Sequence, residues 1–200
     1  KRSRRPWIHT HTDLMASAMD LHDGTAGTNG GVLVGLTQDS SDMHHWFADG
    51  AALEPGELTS LQTASTYINV HSDTFPAGEL RGQVLPRGYE LILTPLSGSE
   101  QIPAVVTAAE GVAAATLQAS TGWLRLHANT MGVDDATAAH LYQGFSEANG
   151  PVLIGLAQDG SNMPHCSASL VLSPEQKAAL EAGELYYNVA CHSDTDRGPG

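Results

Sequence analysis

Short stretches of the chain place apolar side chains at every second position, the period of a strand half-buried in a sheet. Tyr89-Glu90-Leu91-Ile92-Leu93 alternates around Tyr89, Leu91 and Leu93, and Leu80, Gly82 and Val84 alternate with Glu79, Arg81 and Gln83. Trp123-Leu124-Arg125-Leu126-His127 alternates as well. Val32–Leu36 and Val152–Leu156 are instead continuous apolar runs, which predicts strands covered on both faces or lying at the centre of a sandwich. One short helix is signalled: Ser173 suits the N-cap, Pro174 the first helical position, Gln176 a capping box and Gly183 the stop. The matching segment Glu54–Ala64 carries Gly56 and several Ser and Thr residues, which predicts a weaker helix. Many short strands divided by Gly, Pro, Asn and Asp turns argue for an all-β sandwich. The longest apolar stretch, Ile102–Leu117, is broken by Pro103, Glu110 and Gly111 and falls short of the roughly 18–20 residues of a spanning helix.

The chain is doubled. Residues 29–43 (NGGVLVGLTQDSSDM) and 149–163 (NGPVLIGLAQDGSNM) are nearly identical at an offset of 120. Downstream, Tyr67-Ile68-Asn69-Val70 matches Tyr186-Tyr187-Asn188-Val189, and His71-Ser72-Asp73-Thr74 matches His192-Ser193-Asp194-Thr195 after a two-residue insertion near Ala190-Cys191. Upstream, Ala16–Gly24 matches Ala136–Gly144. A self-similarity of this length sets the organisation before any other reading. It divides the chain into a first repeat, 1–86, and a second, 87–200. The copies are offset within the chain: Tyr89–Ser97 and Gly111–Ser120 precede Trp123 in the second, with no equivalent before Trp7. The closing segment Gly78–Pro86 of the first has none after Asp194. The expectation is that the first copy lacks about two N-terminal strands and the second its last strand. The chain starts at Lys1 with no apolar core behind its basic head, so either a leader has been removed or these residues come from inside a longer polypeptide.

YINVHSDTFPAGELRGQV (67–84) resembles the closing signature of the CHRD domain, the module named after chordin and common in exported bacterial proteins. LTPLSGSEQIPAVVTAAEGVAAATL (93–117) is similar to that family's opening segment, and ATAAHLYQGFSEANGPVLIGL (136–156) to its central His-containing strand and Asn-Gly turn. The resemblance implies an immunoglobulin-like β architecture and an extracellular setting. The family often pairs two histidines as H-x-H in the central strand. Here the first copy has His22 with Asp20 in the other place, and the second has His140 with Tyr142.

Charge narrows the partners. Nine Lys+Arg stand against 22 Asp+Glu, a formal net charge of −13, and Lys1, Arg2, Arg4 and Arg5 hold four of the nine cations. The body of the chain therefore repels phosphate backbones and anionic membrane faces, which argues against nucleic acid as a partner. The basic head reads as a solvated tail or as a dock for an acidic neighbour. There is no G-x-S-x-G elbow, P-loop or H-E-x-x-H, and the expectation is a protein that is not an enzyme. Asp134-Asp135, Asp39 and Asp159 lack the spacing of a calcium loop and read as turn acids.

Histidine is abundant, at ten residues. His45 and His165 are repeat equivalents, as are His71 and His192, and imidazoles at the ends of neighbouring strands can hold Cu or Zn, with Asp20 or Cys166 as further ligands. The competing reading is polar histidines bonded to turns. Cys166 and Cys191 occur in the second copy alone, each beside one of those histidines. A disulfide between them is the principal expectation and would close a loop of about 24 residues, worth roughly 3 kcal/mol. A Cys2His2 metal site (His165, Cys166, Cys191, His192) and two buried thiols are the alternatives.

An incomplete sandwich exposes unpaired backbone groups along an edge, and such an edge invites another strand. The functional expectation is an extracellular, non-enzymatic structural module. It would be a subunit of a self-assembling fibre or surface array, completed head to tail by copies of itself, with Glu79, Leu80, Arg81, Gly82, Gln83 and Val84 as the assembly edge. The alternative is a secreted Cu- or Zn-binding protein. A growth-factor-binding module, by analogy with chordin, is a third reading that rests on kinship of fold.

Overall fold

The computed structural model describes residues 8–12, 14–133, 136–145, 148–158 and 165–191, with His9, His11 and Cys191 described at the backbone alone. The chain divides into two units, Lys1–Arg87 and Gly88–Gly200. All strand pairing is antiparallel.

The first unit contains β1 (Ile8–His11), β2 (Ala18–Asp23), β3 (Val32–Gly35), β4 (Thr37–Asp39), β5 (Asp42–Ala48), α1 (Pro55–Gln62), β6 (Thr66–His71) and β7 (Leu80–Val84). Its strands form two sheets, β1-β5-β4 and β3-β2-β6-β7. Met19, Leu21, Leu36, Trp46 and Val70 make the buried core, with Ile8, Leu33, Val34, Ile68 and Val84 packed on it. Strand alternation then dictates the other face of the second sheet. Register sets Ala18 opposite His71, Asp20 opposite Asn69, and His22 opposite Tyr67, so the residues between Met19 and Leu21 and beyond them share the outer, polar face.

The second unit contains β8 (Tyr89–Ser97), a 3-10 turn (Gly98–Glu100), β9 (Glu110–Gln118), β10 (Trp123–Met131), β11 (Ala136–Gln143), β12 (Val152–Gln158), β13 (His165–Val171), α2 (Pro174–Glu181) and β14 (Leu185–Cys191). The order is β14-β11-β12-β13-β10-β9-β8. Leu117, Leu124, Leu126, Leu141, Leu156 and Cys166 lie in its buried core, with Ala113, Ala115 and Ala128 filling the narrow places. The all-β, doubled architecture matches the reading of the sequence. Among the described residues β8 and β9 have no counterpart in the first unit, and β7 has none in the second.

Two local expectations need correction. The apolar runs are not covered on both faces, since Val32 and Val152 are 57% and 52% exposed. The reason is that this segment changes sheets. β3 pairs with β2 and β4 with β5, and β12 passes from β11 to β13 within one strand. In β8 the inward face is that of Ile92 and Leu96, and Leu93 is exposed, because an aliphatic residue at every position of 91–93 leaves the alternation ambiguous.

A register shift falls between Leu21 and His22 where β2 meets β3: Leu21 faces Val34, but His22 faces Val32, which leaves Leu33 as an extra residue. The same shift recurs between Leu141 and Tyr142, opposite Ile154 and Val152. Such a bulge bends the strand and re-aims side chains. Gly30 and Gly150 follow for a steric reason, since a Cβ at either would strike the carbonyl oxygen of Asp23 or Gln143.

The helices agree with their capping signals. Ser173 accepts from the Gln176 N–H (3.2 Å) and its own N–H donates to Gln176 Oε1 (2.8 Å). α1 runs to the same eight residues as α2, with the Glu54 N–H donating to Glu57 Oε2 at 2.8 Å.

Candidate metal centre

The outer face of β2 and β6 brings Asp20, His22 and His71 together. Asp20 and His22 are two apart in one strand, and His71 ends the strand beside it, so the sheet fixes all three on one side. One ligating atom from each lies within 4.8 Å of the others.

The backbone sets which nitrogen of each imidazole faces the cluster. His22 Nδ1 is 2.9 Å from the Gly30 carbonyl oxygen, and His71 Nδ1 is 2.9 Å from that of Pro76. A carbonyl oxygen only accepts, so both Nδ1 atoms donate, and in the neutral rings both Nε2 atoms carry a lone pair. A metal-binding histidine is ordinarily held this way by its second nitrogen. His71 Nε2 is 3.2 Å from Asp20 Oδ2 and 3.3 Å from Asn69 Nδ2. His22 is 9% exposed, and its Nε2 is buried without a hydrogen-bond partner. A buried polar atom left so costs about 1–3 kcal/mol unless something fills the place.

Two lone pairs and a carboxylate oxygen converging on one point repel each other and attract a cation. With metal–ligand bonds of about 2.1 Å, a tetrahedral ion spaces its donors by roughly 3.4 Å, close to the 3.2 Å between His71 Nε2 and Asp20 Oδ2. Imidazole and carboxylate without thiolate suit Zn(II) or Cu(II).

The walls are equally specific. The Tyr67 ring stacks on His22 with centroids 4.9 Å apart, and the Arg81 guanidinium carbon lies 3.5 Å over that ring. Arg81 donates to Asn29 Oδ1 (2.9 Å) and to the Thr25 and Thr28 carbonyls (3.0 and 2.6 Å). Gln83 donates to the Gly24 and Ala64 carbonyls, each at 3.0 Å. β7, which carries the expected assembly edge, pairs with β6 on one side and ends its sheet.

The histidines singled out in the sequence are dispersed. His71 joins the cluster. His45 lies in the other sheet, its Nδ1 3.2 Å from Asp39 Oδ2 and its ring 5.8 Å from that of Phe47. The Ser41 backbone N–H and hydroxyl, with His45, hold the Asp39 carboxyl down to about 2. His165, exposed on β13, has Nδ1 2.7 Å from Asn129 Oδ1. His192 lies outside the described residues. Cys166 is buried in the second core, while the Cys191 side chain, and with it the disulfide and the Cys2His2 arrangement, lies outside what is described. His22 is the ligand that the equivalence of the repeats passes over, because Tyr142 takes its place in the second copy. The signal available was the pair Asp20-x-His22 in one strand, which the fold pairs with the distant strand that ends in His71.

In the second unit His140 stands where Asp20 does. Tyr142 meets it edge-on at 5.8 Å and stacks on Tyr186 at 5.1 Å, as His22 stacks on Tyr67. Of the described positions, the carboxylate is exchanged for an imidazole and the imidazole for a phenol, while the ring stacking is kept.

The family model of the CHRD domain matches residues 9–84 and again 92–196. No curated protein and no solved structure matches the chain.

Proposed function

Since the chain belongs to the CHRD domain family through both of its repeats, we propose that it is an extracellular, non-enzymatic module whose first repeat binds one Cu(II) or Zn(II) ion through Asp20, His22 and His71. The observation that carries this reading is the buried, unpartnered Nε2 of His22, in a residue whose ligating atom lies within 4.8 Å of those of His71 and Asp20. Among the described residues no helix is long and apolar enough to cross a membrane. The Cys166–Cys191 disulfide belongs to the same reading, since it suits an oxidising exterior.

One equivalent of metal per chain is expected after loading and exhaustive dialysis, measured by elemental analysis, with a rise in the melting temperature of the first unit that chelator reverses. Metal-free protein that gains neither mass nor stability with Cu(II) or Zn(II) would end the proposal. Two equivalents would mean that Tyr142 does not disable the second unit.

Self-assembly is the second reading, and a specific contrast favours it. β6 is flanked by β2 and β7, while β14 pairs with β11 alone among the described residues. An edge of this kind accepts a strand from a neighbour. Copies joined head to tail would appear in negative stain and elute as a concentration-dependent series, whereas a monodisperse monomer at high concentration counts against a fibre.

A further inference from the structure

Three protein donors leave a Zn(II) or Cu(II) ion with at least one coordination position for an outside ligand. The cleft above the cluster indicates what that ligand is. It has a volume of about 440 Å³ and is lined by both imidazoles together with Asn29, Tyr67, Asn69 and Arg81.

Charge decides the sign. Asp20 cancels one of the two charges of the ion, and Glu79 is the single carboxylate in the lining, set against the Arg81 guanidinium. The balance, with metal bound, is one positive charge. Arg81 is not a loose surface cation. Though solvent-exposed, it lies over Tyr67 and spends three of its five N–H donors on Asn29, Thr25 and Thr28, which leaves two. The ring beneath it is the one that stacks on His22, so guanidinium and ligand imidazole are joined through a single side chain. Register places Arg81 directly opposite Asn69.

Asn69 supplies a further donor. Its amide nitrogen is 3.3 Å from His71 Nε2. A metal on that nitrogen displaces the amide N–H, which is then free for whatever sits beside the ion. A planar guanidinium fork anchored over Tyr67, a released amide and a Lewis acid form a set suited to an anionic oxygen ligand.

We propose that the metal of the first repeat carries a small oxyanion of the phosphate or carboxylate type, held jointly by the ion and the Arg81 guanidinium. This rests on the metal-binding reading and goes further by naming the exogenous ligand and the residue that selects it.

The test uses the full chain loaded with one equivalent of Cu(II), titrated with inorganic phosphate and followed by electron paramagnetic resonance, with retained copper measured after ultrafiltration. A saturable spectral change with copper still bound is expected. Arg81→Met should keep its copper and bind phosphate roughly 10- to 100-fold more weakly, the worth of a charge-assisted contact. Arg81→Lys, which retains the charge but not the fork, should fall between, and it serves alone should the methionine variant not fold. A spectrum indifferent to phosphate while copper stays bound overturns the oxyanion proposal and leaves the metal site standing. Equal phosphate affinity in wild type and Arg81→Lys overturns it also, because the fork then selects nothing. Failure of the wild-type chain to retain copper removes both.

Discussion

Replacing His22 by alanine is expected to abolish retention of the metal while leaving the metal-free fold close to wild-type stability. The two halves of that outcome have separate causes. His22 supplies one of three protein donors, and loss of even an outer-shell partner weakens metal sites by about 10–100-fold, so loss of a ligand should exceed 100-fold. In the metal-free protein the same imidazole is a mixed asset. It stacks on Tyr67 and donates to Gly30, yet keeps Nε2 buried without a partner. Removing a buried unpaired group recovers about 1–3 kcal/mol, which offsets the lost stacking and hydrogen bond to within about 1–2 kcal/mol. Calorimetric titration with Zn(II) and a thermal melt of the metal-free variant read the two halves independently. His45→Ala is the matched control, since its ring faces Asp39 and Phe47 in the other sheet, and it should leave affinity unchanged. A His22→Ala protein that binds one equivalent as tightly as wild type would place the ion elsewhere.

Leu126→Ala should be the most destabilising single truncation in the second unit. Leu126 is fully buried in β10, and its cross-strand neighbours are Ala115 in β9 and Ala168 in β13. Alanines on both flanks have no side chain with which to fill the space. The loss therefore belongs near the upper part of the range of about 3–5 kcal/mol for a large cavity. Denaturant unfolding of the full chain should show the second unit's transition moving to lower concentration, with metal stoichiometry in the first unit retained. A loss below about 1 kcal/mol would mean that the core relaxes around the cavity.

Much of the fold could be read from residue patterns because it rests on local rules. Period-two stretches became strands, Ser173, Pro174 and Gln176 capped α2 as their chemistry requires, and the doubled sequence gave a doubled architecture. What failed were positions where local pattern underdetermines the answer. Leu91, Ile92 and Leu93 are all apolar, so only the pairing with β9 decides which of them faces inward. Val32 and Val152 sit where a strand leaves one sheet for another, a matter of topology.

The candidate site was half legible. His71 and Asp20 stood out as donors, but histidines common to both repeats drew attention to His45 and His165, which the fold sets apart. The cluster forms where the repeats differ, at Asp20/His140 and His22/Tyr142. It depends on the pairing of β2 with β6, segments some 50 residues apart, whose register no short window contains.

The extra residue at Leu33, repeated at Leu153, bears on how such a pair of repeats diverges. It shapes the backbone around position 22 and position 142 alike, whether the occupant is an imidazole or a phenol. Histidine and tyrosine codons differ by one nucleotide. After duplication, one copy could therefore trade a ligating imidazole for a phenol by a single point mutation, on a bulge that both copies keep.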